Sequence, residues 1–316
     1  MARLILQRFG FALLTMILVS IIAFVGTEAL PGDSCTAYLG RSATDEGLEI
    51  CREKRGENRS IVIKYAEWAG SLAQGDFGVS MNGDREISTM IAPRLRNTGM
   101  LAFFASIIGI PIAVLLGVIS GLFRDRFPDM AISATAIIAM TLPEFVTATI
   151  LIYIFSIKLQ WFNAVAMLRT NAAWGDILST IALPVITLIL VMTAHILRMV
   201  RTSVIDVMAG DFVQMARLKG VPYWQIVFKH ALPNALIPAI PVIALTIAWL
   251  LGGLVIIEKV FNYPGLGNEM LNAIYLRDIP VVLAIAMLLA GVYVIVNLIA
   301  DILTLVLNPK LRTMRT

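Results

Sequence analysis

Six stretches of the chain are almost wholly apolar, at residues 9–30, 99–123, 130–157, 181–200, 236–257 and 281–307, and polar segments of very different length separate them. A helix rises 1.5 Å per residue, so about 20 such residues cross a hydrocarbon layer of roughly 30 Å. Inside that layer every backbone N–H and C=O must pair within its own segment, which leaves helices. The pattern therefore predicts an all-α membrane protein with six transmembrane helices. Residues 1–30 form a short N-terminus and the first helix, 31–97 a large loop, 98–308 the membrane core and 309–316 a tail. The first apolar run exceeds a signal-peptide core and no small-x-small cleavage site follows it closely, so it is expected to be retained.

The interruption at 211–234, DFVQMARLKGVPYWQIVFKHALPN, has the pattern of an ordered helix and turn. Phe212, Met215, Ala216 and Lys219 recur at i, i+3, i+4 and i+7, which predicts one small, apolar, partly basic face on a short helix. Gly220 stands where a helix ends in left-handed geometry, and Pro222 just beyond it cannot continue the helix. An apolar-aromatic run from Trp224 to Phe228 leads to His230, Leu232, Pro233 and Asn234 before the next apolar span. A short rigid helix held between two membrane helices is suited to receive a push from a cytosolic partner.

Charge sets the expected orientation. Arg3 and Arg8, then Arg124 and Arg126, then Arg198, Arg201, Arg217, Lys219 and Lys229, and finally Lys310, Arg312 and Arg315 all fall on one side of six spans. Short positive loops mark the cytoplasm, so both termini are expected inside. The loop 32–97 holds nine basic and ten acidic residues, and a loop of that length crosses largely regardless of charge, so it is expected outside. Within it, residues 61–72 have the pattern of an amphipathic helix. Cys35 and Cys51, the two cysteines of the chain, both lie in this loop. In an oxidising compartment they can pair, and the sequence leaves a disulfide and two free thiols equally open.

Composition agrees with the pattern. Hydrophobic residues make up 59% of the 316 positions and charged ones 15%, against ~25% for a soluble domain. The mean hydropathy is +0.85. The formal net charge of +4 needs no nucleic acid, because basic loops on one face of a lipid membrane account for it. Gly109, Gly117, Ser120 and Gly121, then Ala131, Ser133, Ala134 and Ala136, give small faces for close helix packing. Pro111, Pro143 and Pro184 are each expected to interrupt a helix.

Glu144, about midway along the third span, is the informative charge inside the membrane. A lone carboxylate at that depth costs roughly 3 kcal/mol on insertion scales unless it faces protein or water. It lines a translocation path or bonds a neighbouring helix, and both readings stay open. His195 is expected at the interface near Arg198, and His230 has no second ligand at metal spacing, so no metal site and no catalytic residue is expected. No G-x-x-x-x-G-K-[ST] loop is present to hold ATP phosphates. Trp161, Phe162 and Trp174 suit an outer interfacial belt, and residues 268–275 suit a short helix. An intramembrane protease using His195 and Ser133 lacks any feature that sets the pair together. A carrier driven by an ion gradient would need inverted repeats, broken helices and several midplane charges. A scaffold without transport activity is a third alternative.

The segment 211–234 resembles the cytoplasmic signature of ABC importer permeases, E-A-A, three residues, Gly, nine residues, Ile-x-Leu-Pro. Gln214, Met215 and Ala216 take the first three places, Gly220 the glycine, and His230, Ala231, Leu232 and Pro233 the end. Ala216-Arg217 with Lys219-Gly220 is similar to the dipeptide, oligopeptide and nickel branch, with departures at Leu218 and Pro233. Pro31-Gly32-Asp33, Gly75 to Ser80, Arg94-Leu95 with Thr98, Gly252-Gly253 with Glu258, Pro264 to Gly267 and Arg277-Asp278 carry the same resemblance in order along the chain. It implies a permease subunit in the bacterial inner membrane that binds no cofactor itself. Its partners would be a second, usually different, permease subunit, two cytosolic ATPases carrying ATP and Mg, and a periplasmic solute-binding protein that meets the outer region after the fifth span. Phe212, Gln214, Met215, Ala216, Arg217, Lys219 and Gly220 would couple to an ATPase. Short peptides come first as substrates, with nickel chelates, glutathione and sugar conjugates also carried in this branch.

Overall fold

The computed structural model describes residues 2–29, 34–39, 44–55, 59–167 and 174–307. They form fourteen α-helices: α1 Ala2–Glu28, α2 Ser34–Leu39, α3 Asp45–Arg55, α4 Ile61–Ala73, α5 Ile87–Leu122, α6 Phe127–Thr141, α7 Glu144–Leu151, α8 Trp174–Met208, α9 Asp211–Leu218, α10 Tyr223–Gln225, α11 Leu232–Leu236, α12 Ala239–Val260, α13 Leu266–Tyr275 and α14 Ile279–Leu307. Two π-helical turns, Ile152–Lys158 and Ile226–Ala231, continue α7 and α10. Among the described residues there is no strand, only one isolated bridge between Val79 and Glu86. The class is all-α, as the apolar pattern predicts. The tail after residue 307, the Pro31-Gly32-Asp33 segment and the Trp174 side chain lie outside the described residues.

Among the described residues four helices, α1, α5, α8 and α14, are long and apolar enough to cross a membrane, and up to six spans result if each of two bent pairs is one span. The span over 130–157 is broken where Pro143 is expected to interrupt it: α6 and the helix after it meet at 108°. Pro143 has no N–H to give, and its ring forces Leu142 into extended backbone at φ −81° and ψ 128°. The fifth apolar stretch is also bent, by 51° before α12, where Pro238 stands. Pro111 and Pro184 behave differently from expectation, since α5 and α8 run through them.

The chain folds as two compact units. One comprises Met1–Arg8, Gly99–Tyr263 and Ile295–Thr316. At its centre α8 is the helix against which α6, α7, α11 and α12 pack, and α5 approaches it at Gly117 and Gly121. Ile181, Leu188, Met192, Ile196 and Val200 on α8 meet Leu101 and Ala113 of α5 and Leu250, Leu254 and Ile257 of α12 in one core. In lipid, helices gain no hydrophobic drive to associate, so contact depends on close fit. Gly117 and Gly121 supply it: a Cβ at Gly117 would stand 2.7 Å from Val200 Cβ and 2.8 Å from the Leu197 carbonyl oxygen, and one at Gly121 would stand 2.8 Å from Val204 Cβ.

The other unit comprises Phe9–Thr98 and Pro264–Val294. The predicted amphipathic helix is α4, and it docks on α1 through Phe24, Tyr65 and Trp68, whose ring centroids lie 5.3–6.0 Å apart. Tyr65 and Ser20 hydroxyls bond at 2.8 Å, and Lys64 pairs with Glu28. A disulfide joins Cys35 of α2 to Cys51 of α3, with their Cα atoms 5.9 Å apart. The predicted short helix after the fifth span is α13. Asp278, just past it, accepts hydrogen bonds from the Ser80 hydroxyl and from the Met81 N–H at 3.1 Å, while Arg94 pairs with Glu269 at 2.8 Å.

Candidate coupling site

Helix α9 is short, and its ends are built for it. Gly210 precedes it in extended backbone, Asp211 lies in the first turn and Arg217 in the last, so both charges complement the helix dipole. The C-terminus closes with two bonds, Val221 N–H to the Ala216 carbonyl at 3.1 Å and Gly220 N–H to the Arg217 carbonyl at 2.9 Å. That is a Schellman motif, and it needs a left-handed residue at the position Gly220 occupies with φ +76°. Val221 and Ala216 both pack on the apolar cluster formed by Val213, Ile226 and Ala231.

The inward face of α9 is Val213, fully buried, with Ala216 beside it. They meet Ile226 and Ala231 of the following π-helical turn and Val207 and Met208 at the end of α8. Of the four residues that the spacing puts on one side, Phe212, Met215 and Lys219 are exposed and Ala216 is half-buried. Apolar residues at 212, 213, 215, 216 and 218 surround a helix of this length, so spacing alone did not distinguish the face turned inward. Phe212, Met215 and Leu218 point outward, Leu218 with 82% of its surface exposed. Gln214, Arg217 and Lys219 are exposed around them.

The outward apolar surface continues past the cap. Tyr223, Trp224 and Phe228 are exposed, with Tyr223 and Trp224 ring centroids 5.3 Å apart and Trp224 stacked on Phe228 at 5.8 Å. The end of the segment is fixed to its surroundings. Asn234 Nδ2 donates to the His230 carbonyl at 2.7 Å, and the Ser203 hydroxyl of α8 donates to the Ala235 carbonyl at 2.7 Å. Leu232 packs on the main core, His230 is half-buried and Pro233 is exposed.

The helix that carries α9 is itself anchored by a contact the sequence reading did not single out. Arg201 of α8 donates Nε and Nη2 to the two Asp129 oxygens at 2.6 and 2.7 Å. Asp129 also accepts from Asp125 N–H at 2.9 Å, from Ser133 Oγ at 3.1 Å and from Ser120 Oγ. One buried carboxylate thus holds α5, the turn after it, α6 and α8. Asp129 and Arg201 lie 72 positions apart, and no local spacing points from one to the other.

Glu144 belongs to another place. It opens α7 and faces Gly253 of α12. His195 is exposed and lies against Trp249 at 5.7 Å between centroids. Among the described residues no group of three from His, Cys, Asp and Glu has the arrangement of a metal site.

Two family models match the chain, binding-protein-dependent transport system inner membrane component over residues 113–313 and the N-terminal component of the same systems over residues 1–102. The chain belongs to this permease family. It is accordingly a membrane permease subunit of an ABC importer, multi-pass in the bacterial inner membrane. A Brucella ovis protein named as a candidate peptide permease is 33% identical over 317 residues, covering 99% of each chain. The glutathione transport system permease of Escherichia coli K12 is 32% identical over 298 residues, 94% of this chain and 95% of its own. A Sinorhizobium fredii protein named as a candidate peptide ABC transporter permease is 30% identical over 308 residues, 98% of each. The broken α6–α7 pair is a feature an ion-driven carrier would also have, but family membership decides for the ATP-driven permease.

Proposed function

We propose that this permease carries short peptides and that α9 is its coupling helix. The observation that carries the proposal is the outward apolar surface of Phe212, Met215 and Leu218 on a helix whose other face is buried and whose end is locked by Gly220. A contiguous exposed apolar surface rimmed by polar residues marks an interaction site. Its partner is one of two cytosolic ATPases, which carry ATP and Mg and perform the hydrolysis. A second homologous permease subunit completes the path, and a periplasmic solute-binding protein delivers the solute. Relatives named for peptide and glutathione transport favour a peptide-like solute over nickel chelates.

Both termini are assigned to the cytoplasm. A disulfide persists in an oxidising compartment, which favours an external position for residues 34–55, one span after the N-terminus. With each bent pair counted as one span, α9 then lies on the same side as the N-terminus. When the ATPases close on ATP, α9 moves as a rigid body, and helices packed on α8 pass that motion on as a switch between openings. The free energy comes from the nucleotide, through its different affinity for the two states.

The test is co-purification of ATPase subunits with the solubilised permease. Leu218→Asp and Met215→Asp should fold normally and lose the ATPase, because both side chains are outward. Retention of the ATPase by both variants would remove α9 from the interface.

A further inference from the structure

The carboxyl group of Glu144 is seated in a notch that exists because residue 253 is glycine. A Cβ built there would stand 2.6 Å from Oε2 and 3.0 Å from Oε1. Oε2 is buried and, among the described residues, has no hydrogen-bond partner. A lone carboxylate at membrane depth is unfavourable by roughly 3 kcal/mol on insertion scales, so a partner from outside this part of the chain is called for.

A second group stands one helical turn from that notch. Trp249 precedes Gly253 by four residues on α12, which puts both on one helix face with about 6 Å of rise between them. Trp249 is 44% exposed, and its ring rests against His195 of α8 at 5.7 Å between centroids. Helices α7, α8 and α12 pack on one another within one compact unit. Three helices therefore place an unpartnered carboxyl and an accessible indole one turn apart along α12.

We propose that Glu144 and Trp249 form a station for the protonated amine of a solute crossing the permease. The carboxylate accepts charge-assisted hydrogen bonds from the ammonium, and the indole face attracts the same charge through its quadrupole. Gly253 keeps the space for the carboxyl, and His195 orients the indole. The inference rests on the permease reading above and names the part of the solute that this chain recognises.

The test uses the assembled complex with 5-fluorotryptophan placed at position 249, whose 19F resonance is followed as ethylammonium chloride is added. A saturable shift is expected in the wild-type background and none in Glu144→Gln. Gly253→Ala keeps the carboxylate but fills its notch, and it serves where Glu144→Gln fails to assemble; it too should lose the shift. In liposomes, uptake of a labelled tripeptide with a free amino terminus should fall at least tenfold in Glu144→Gln. Absence of a saturable shift, or an equal shift in Glu144→Gln and Gly253→Ala, overturns the station. A saturable, Glu144-dependent shift in a complex that takes up no peptide upholds the station and removes the peptide reading instead.

Discussion

Asp129 at the start of α6 and Arg201 near the end of α8 form a two-pronged ion pair, at 2.6 and 2.7 Å, in which the aspartate side chain is 3% exposed. Each carboxylate oxygen has a further donor from Asp125 N–H, Ser120 or Ser133. Removing one member of a buried pair leaves the other uncompensated, at a cost of about 3 kcal/mol. Arg201→Ala and Asp129→Asn should each lower the thermal unfolding midpoint in detergent by several degrees. Arg201→Lys should fall between wild type and Arg201→Ala, because the ammonium keeps the charge but loses the fork. A double variant no worse than either single one identifies the pair as the unit that matters.

The glycines of α5 are not equivalent. At Gly109 the nearest atom to an added Cβ is the Met192 sulfur at 2.9 Å, the end of a flexible side chain. At Gly117 the neighbours are Val200 Cβ and the Leu197 carbonyl, and backbone does not yield. Gly117→Ala should therefore destabilise by roughly 1–3 kcal/mol, as overpacking does, and Gly109→Ala by less. Val200→Ala should rescue Gly117→Ala only in part, since the carbonyl contact remains. Retention of the folded protein against temperature in detergent measures the order.

The Cys35–Cys51 disulfide closes a separation of 16 residues. A loop of that size is worth about 3 kcal/mol to the fold of the segment in the chain-entropy account. Cys35→Ser should raise protease cleavage within residues 34–55 and leave α9 intact. A membrane-impermeant maleimide should label intact cells only after reduction, and labelling without reductant would mean that the thiols are free.

Gly220 should tolerate alanine better than proline. A Cβ at this position meets nothing within 4 Å, so alanine is disfavoured only by φ +76°, about 1–2 kcal/mol. Proline fixes φ near −65° and removes the N–H that bonds the Arg217 carbonyl, so Gly220→Pro should unlock the end of α9. ATPase capture should be weakened in Gly220→Ala and abolished in Gly220→Pro, with Val213→Asp as the variant that loses the segment's folding altogether.

Much of this protein follows from patterns that are local in sequence. A run of about 20 apolar residues admits only a helix in lipid, so the all-α class needs no tertiary information. A left-handed glycine followed by proline ends a helix wherever it occurs, and so Gly220 marked the end of α9. The contacts between helices were not legible in the same way. Pro111 and Pro184 remain inside continuous helices while Pro143 breaks one, because the loss of a proline's hydrogen bond is tolerated or not according to what surrounds it. Which face of α9 is buried, which arginine meets Asp129 and what lies opposite Glu144 were decided by packing on α8 and α12. The partners of Asp129 and Glu144 stand tens of positions away in the chain, and glycines such as Gly117 and Gly253 leave the room that lets the helices meet.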